Sequence, residues 1–221
     1  NRIYFFDRGQ KEYYEKQGYK NVFHLPLAAD EKVWQDAFKN IEEKKKKYSC
    51  DVAFLGKLYD SDYNYLMGPL PLYERGKMEG YLSVQSKLYG AYMLDELITD
   101  ELLNSLNVHY AKASNNTVKI KREELEYAMA CEVTGRERKM ILELLNSRCN
   151  LHVHTGKDSS KITGITNCGY ADYYSEMPAI FRFAKINLNI SLRTIRTGIP
   201  LRIIDIMSCG GFVISNFQEE L

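Results

Sequence analysis

"TGIPLRIIDIMSCGGFVI", residues 197–214, reads as a loop, a short helix over 199–208, a tight turn and a buried strand. Thr197 and Gly198 lead in, and Pro200 stands in the first helical turn, which tolerates a missing N–H. Leu201, Ile203, Ile204 and Met207 set apolar side chains around Asp205, and Cys209-Gly210-Gly211 ends the helix with glycines that accept a left-handed conformation. Phe212, Val213 and Ile214 form the apolar run of a strand covered on both faces. Arg193, Arg196 and Arg202 crowd the start of the helix, and Glu176 is the only acid between Asp172 and Asp205. Backbone amides, a glycine and guanidinium groups with no carboxylate among them favour a bound anion, most naturally a phosphate. The plainer alternative is a set of solvated arginines beside a turn glycine.

Working outward, the same alternation recurs. "IYFFD" (3–7) predicts a buried strand, 8–18 a helix ended by Gly18, and "NVFHLPLAAD" (21–30) a second strand turning into a loop at Pro26. Val33, Trp34, Ala37, Phe38 and Ile41 give 31–47 the spacing of an amphipathic helix. "CDVAFLG" (50–56) begins a further strand series. Residues 60–130 are tyrosine-rich, with helices over 80–98 and 121–135 and a short extended piece at Val108-His109-Tyr110. Helix 135–146, strand 150–156, helix 170–184 and strand 186–191 follow. Strands alternating with helices imply βαβ units and a Rossmann-like parallel sheet, class α/β, with ligands at the carboxyl ends of the strands. The expected organisation is a βαβ unit over 1–30, a linker helix over 31–49, and a sheet domain over 50–221 that carries a helical insertion at 60–130.

Thirty basic and twenty-nine acidic side chains leave a net charge of +1, which gives no global case for nucleic acid or an anionic membrane. The lysine run 44–47 follows two glutamates and marks the solvated end of a charged helix. No apolar stretch approaches the ~18 residues of a membrane span, and no signal peptide opens the chain. Five scattered cysteines do not form a secreted disulfide framework, so a reducing cytoplasm is the expected setting. A first residue other than methionine, and a last residue where a helix is starting, predict a segment of a longer protein.

Several chemistries find little support. Asp60-Ser61-Asp62 has D-x-D spacing, but the residues around it are turn-like, and a solvated loop is the better reading. His152 and His154 alternate along a strand and share a face, with Cys149 and Cys168 not far off. No CxxC or HExxH spacing accompanies them, so no metal is expected. The GxSxG, GxGxxG and GxxxxGK[ST] patterns are absent from the sequence.

"GIPLRIIDIMSCGGFVI" is similar to the carboxyl-terminal half of two-domain (GT-B) glycosyltransferases. "VFHLPLAAD", "DVAFLGKLY", "VTGRER", "YYSEMPAIFRFAKINLNISLRTIRTGIPLR" and "NFQEEL" resemble, in order and spacing, blocks of the CgeB-type spore-maturation-protein group in that superfamily. The resemblance spans nearly the whole chain, residues 60–130 carrying few diagnostic positions. It implies a donor-binding domain for a nucleotide-diphosphate sugar, the rest of the enzyme supplying the acceptor site for an undefined acceptor. By the resemblance, Asp205 stands at the second of two motif glutamates, which hydrogen-bonds the ribose, and Thr197 replaces the first. Gly198 and Ile199 would offer amides to the phosphates and Arg193 or Arg202 would neutralise them. Gly56 and Lys57 would form the turn facing the diphosphate, and Gly169 and Tyr170 would meet the base. Transfer would need neither metal nor cofactor, the leaving diphosphate being stabilised by fixed amides and guanidinium groups. The rival expectations are a nucleotide-binding domain without chemistry, and an interaction module built on the tyrosine-rich helices.

Overall fold

The protein, seen in a computed structural model that describes residues 1–34, 38, 41–59, 62–156, 164–165 and 167–221, alternates strands and helices along its sheet-forming segments. It opens with β1 (Ile3–Phe5), α1 (Arg8–Lys16) and β2 (Val22–His24). A 3-10 turn at Glu31–Trp34 and α2 (Ile41–Tyr48) are the described parts of the expected linker helix, and β3 (Cys50–Leu55) follows. Then come α3 (Tyr63–Met67), α4 (Leu72–Lys87), α5 (Leu94–Leu97), α6 (Asp100–Ala113) and α7 (Arg122–Asn146). The chain ends with β4 (Leu151–His154), α8 (Met177–Phe183), β5 (Ala184–Asn189), α9 (Leu201–Ser208) and β6 (Val213–Ser215).

Two compact units result. One comprises Asn1–Leu58, Arg138–Ser191 and Ile195–Leu221, the other Tyr59–Glu137 with Leu192–Thr194. In the first, β1 and β2 pair in parallel, and a separate four-stranded sheet has the order β4-β3-β5-β6, again all parallel. The class is α/β and Rossmann-like. Val52, Phe54, Leu142, Leu151, Val153 and Ile190 fill one core of this unit. Trp34, Tyr48, Ala53, Phe181, Ile206 and Cys209 belong to the other. Each large apolar side chain taken fully out of water contributes about 1.5–3 kcal/mol, so these two layers fix the strand register.

The second unit is helical. Leu102, Leu106 and Tyr110 on α6 and Leu125, Met129 and Val133 on α7 recur at four-residue spacing and meet Met78 and Leu94 in one core. Thr99 caps α6 by accepting the Leu102 amide at 3.2 Å. Of the tyrosines, Tyr63 and Tyr110 are core residues, whereas Tyr65 and Tyr73 stand in solvent.

Several expectations are corrected. Val108-His109-Tyr110 is no extended piece: it lies inside α6, with Tyr110 inward and Val108 outward. Helices expected over 121–135 and 135–146 are one, because a single glycine costs a helix only about 1 kcal/mol against tertiary packing. The helix expected over 80–98 is interrupted after Lys87, where Gly90 takes a φ of +75°. Helix 170–184 shortens to α8, because Asp172 Oδ1 accepts the amides of Tyr174 and Ser175 and holds a turn instead. Nor is β6 covered on both faces: it is an edge strand, with Phe212 and Ile214 exposed beside and within it. Strand β1 is likewise open, Ile3 and Tyr4 being exposed.

Candidate functional site

Counting β3 as the first strand of the large sheet, the order is second, first, third, fourth. The path leaves β3 to one side for β4, then crosses to the other side for β5, so the direction of winding reverses between β3 and β5. In open α/β sheets ligands settle at the carboxyl ends of strands at such a reversal. Here those ends are Gly56-Lys57 after β3 and Ile190-Ser191 after β5. Arg138, buried on α7, joins them: its Nε donates to Ile190 O at 3.1 Å and its Nη1 to Lys57 O. The same guanidinium lies over the Phe54 ring at 5.3 Å. Alongside, Asn189 Nδ2 donates to Ser191 Oγ at 3.0 Å and Ser215 Oγ at 2.9 Å, and the Ser191 amide donates to Asn216 Oδ1 at 2.7 Å. These strand ends are thus a polar edge with one buried cation, Arg138, and the exposed Lys57.

The loop before α9 already has an anion. Asp7, fully buried at the end of β1, accepts the amides of Arg196 at 2.6 Å and Thr197 at 3.2 Å, and the Thr197 hydroxyl at 3.1 Å. It also caps α1 by accepting the Gln10 amide at 3.1 Å. Glu220 Oε1 accepts from the Thr197 hydroxyl at 2.6 Å, so two carboxylates face this loop. Gly198 lets the backbone approach closely, since a Cβ there would come 2.7 Å from Asp7 Cα. The Arg196 and Thr197 amides and the Thr197 hydroxyl thus already donate to carboxylates of the chain itself.

Asp205 is buried, not turned to solvent. It accepts the Tyr173 hydroxyl at 3.0 Å and stands 4.0 Å from Arg202, whose guanidinium covers the Phe181 ring at 5.4 Å. Burial pushes the Asp205 carboxyl above its ordinary range, and the Tyr173 hydrogen bond opposes that. Ile199 is half-buried just before the α9 cap. Gly169 takes a φ of +84° and its amide donates to Asn167 Oδ1 at 2.9 Å, leaving Tyr170 exposed. Arg193 belongs to the helical unit, where it is buried against Glu137 at 3.0 Å, donates to Leu88 O at 3.1 Å and lies over the Tyr89 ring at 4.1 Å.

Of the sequence-derived residues, then, Thr197 and Gly198 gather on Asp7, and Arg202 pairs loosely with Asp205. Gly56 and Lys57 stand at the carboxyl end of β3. Arg138, Asp7 and Glu220 went unforeseen. Asp7 carried a signal as an acid between a strand and a helix, whereas Arg138 and Glu220 lay in the blocks "VTGRER" and "NFQEEL" with no role attached. Comparison with protein-family models, with curated proteins and with solved structures returns no match. Asp60-Ser61 of the D-x-D sequence lies outside the described residues.

A second group forms on β4. His152 and His154 point to the face of their register partners Ala53 and Leu55. Asn167 bridges Val153 in parallel, and the Cys168 amide donates to Val153 O at 2.8 Å, which brings Cys168 beside His154 on the same face. One ligand atom from each of His152, His154 and Cys168 falls within 4.8 Å of the others. Cys149 stays apart, its thiol donating to Leu145 O at 3.3 Å. Burial, aided by repulsion from His152, lowers the His154 pKa to about 4, and partial shielding raises that of the Cys168 thiol.

Proposed function

We propose that the sheet unit binds a nucleotide-diphosphate sugar at the carboxyl ends of β3 and β5, as the donor half of a metal-independent glycosyltransferase. The observation that carries this reading is the winding reversal between those strands, with Gly56-Lys57 and the Arg138 guanidinium at it. Asp7 and Glu220 repel a phosphate from residues 196–198, so the diphosphate lies toward Lys57. Arg193 is committed to Glu137 and Arg138 to the Ile190 and Lys57 carbonyls, which leaves Lys57 and Arg202 as the neutralising cations. The ribose meets the Tyr173–Asp205 pair, with Gly169 and Tyr170 toward the base.

Calorimetric titration with UDP, GDP and ADP, and with inorganic phosphate as comparison, tests this. A charge-assisted contact to phosphate is worth about 1.5–3 kcal/mol, so Lys57→Ala should weaken diphosphate binding roughly tenfold or more. Binding of no nucleoside diphosphate, or equal binding by Lys57→Ala, overturns the reading. Nucleotide binding without transfer is the second reading. It is favoured by Thr197, which by the resemblance replaces a motif glutamate and which meets two carboxylates. Sugar-nucleotide turnover separates the two.

A further inference from the structure

The β4 histidines and Cys168 use none of the groups assigned to the nucleotide, and their arrangement asks for a ligand of its own. Three atoms all within 4.8 Å of one another have a common point about 2.8 Å or less from each, and zinc bonds of about 2.1 Å to nitrogen and 2.3 Å to sulfur need only about half an ångström of closure. The two imidazoles come from alternate positions of one strand, and the thiol from a segment pinned to that strand by the Val153–Asn167 bridge and the Cys168–Val153 hydrogen bond. Backbone pairing therefore sets the three donors before any ion arrives. Two of the three, His152 and Cys168, are reachable from water, as an ion needs.

A second observation is independent of the spacing. His154 is 7 % exposed, and its Nε2 has no hydrogen-bond partner among the described residues. A buried polar atom left unpaired costs free energy, and such atoms in native proteins commonly mark an ion or an ordered water. The donor set is chemically selective as well. Two imidazoles with a thiolate suit a borderline-soft ion and reject the hard cations that take oxygen ligands, magnesium and calcium.

We propose that His152, His154 and Cys168 bind one Zn²⁺ ion, with the fourth tetrahedral position open to water or an incoming group. On binding, the Cys168 S–H proton passes to solvent and the thiolate sulfur bonds the metal, because a coordinated thiol is deprotonated outright. The ion fastens the Cys168-Gly169 segment to the sheet edge. The site stands whether or not the carboxyl ends of β3 and β5 bind nucleotides.

The test uses the 221-residue chain stripped with chelator, then titrated with Zn²⁺ against a chromophoric competitor and, separately, with Co²⁺. One zinc per chain is expected, and the cobalt form should show a thiolate charge-transfer band and the visible bands of a tetrahedral centre. Cys168→Ser should abolish the charge-transfer band and weaken zinc at least tenfold, and His152→Ala should weaken zinc comparably. Cys149→Ser should change neither. Equal zinc affinity in the unaltered chain, Cys168→Ser and His152→Ala overturns the site, as does loss of binding in Cys149→Ser. If a variant fails to fold, the unaltered chain still decides: a cobalt spectrum without thiolate charge transfer overturns it.

Discussion

The carboxylate of Asp7 accepts both the amide and the hydroxyl of Thr197, at 3.2 and 3.1 Å, across 190 residues of chain. This one side chain ends β1, caps α1 and satisfies the loop ahead of α9. Asp7→Ala removes a helix cap, worth about 1 kcal/mol, and takes the acceptor from the part-buried Arg196 and Thr197 amides, at about 0.5–1.5 kcal/mol each. A loss of about 2–4 kcal/mol is expected in urea denaturation, and Asp7→Asn, which keeps one acceptor oxygen, should lose less.

Two glycines should respond in opposite directions to alanine. At Gly198 the new methyl meets backbone, 2.7 Å from Asp7 Cα and 3.2 Å from Phe6 O, and overpacking of that kind costs about 1–3 kcal/mol. At Gly76, inside α4, nothing lies within 4 Å, so alanine should add about 0.5–1 kcal/mol through helix propensity. Thermal melts of both variants check the pair.

Glu176 gives a pH dependence with a defined sign. It accepts the Tyr48 hydroxyl at 2.6 Å and Lys47 Nζ at 3.0 Å, and chiefly the Tyr48 bond holds its carboxyl down at about 2. Because the folded pKa lies below the ordinary value of 4.5, the stabilisation is complete above that pH and is lost as pH falls toward 2. Glu176→Gln should flatten the stability curve in that window and leave its shape above pH 5 unchanged.

Tyr173→Phe leaves Asp205 buried without its hydroxyl donor, at a cost of about 1–3 kcal/mol. Asp205 already has a raised pKa, and losing the bond raises it further. The deficit therefore belongs to the charged form, and it should shrink as the medium is acidified. Denaturation of Tyr173→Phe and the unaltered chain at two pH values measures the difference.

The α/β alternation was legible because period and punctuation are local: Asp7 and Gly18 bracket α1, and Gly210 ends α9. Val108-His109-Tyr110 misled because β-branched and aromatic residues suit a strand locally, whereas Leu102, Leu106 and Tyr110 impose a helical face through packing. Exposure of β6 is set by its place at the sheet edge, which strand composition does not encode. The arginines near α9 revealed positive charge but not its partners, since the Glu137 that Arg193 meets and the Tyr13 ring under Arg196 come from distant parts of the chain. His152 and His154 were visible as a pair. Cys149 and Cys168 were both near in sequence, and which of them joins the pair was not legible, because Cys168 reaches it by strand pairing and not by a fixed ligand spacing.

Within α7, Glu137 and Arg138 are adjacent but serve different units. Glu137 holds Arg193 and Tyr89 in the helical unit, and Arg138 ties the ends of β3 and β5 in the sheet unit. If the two units open as separate cooperative blocks, the protection of successive amides against hydrogen exchange should step between these neighbours and not decline smoothly along the helix. A single α-helix then records two opening free energies, and the peptide bond joining Glu137 to Arg138 is where one gives way to the other.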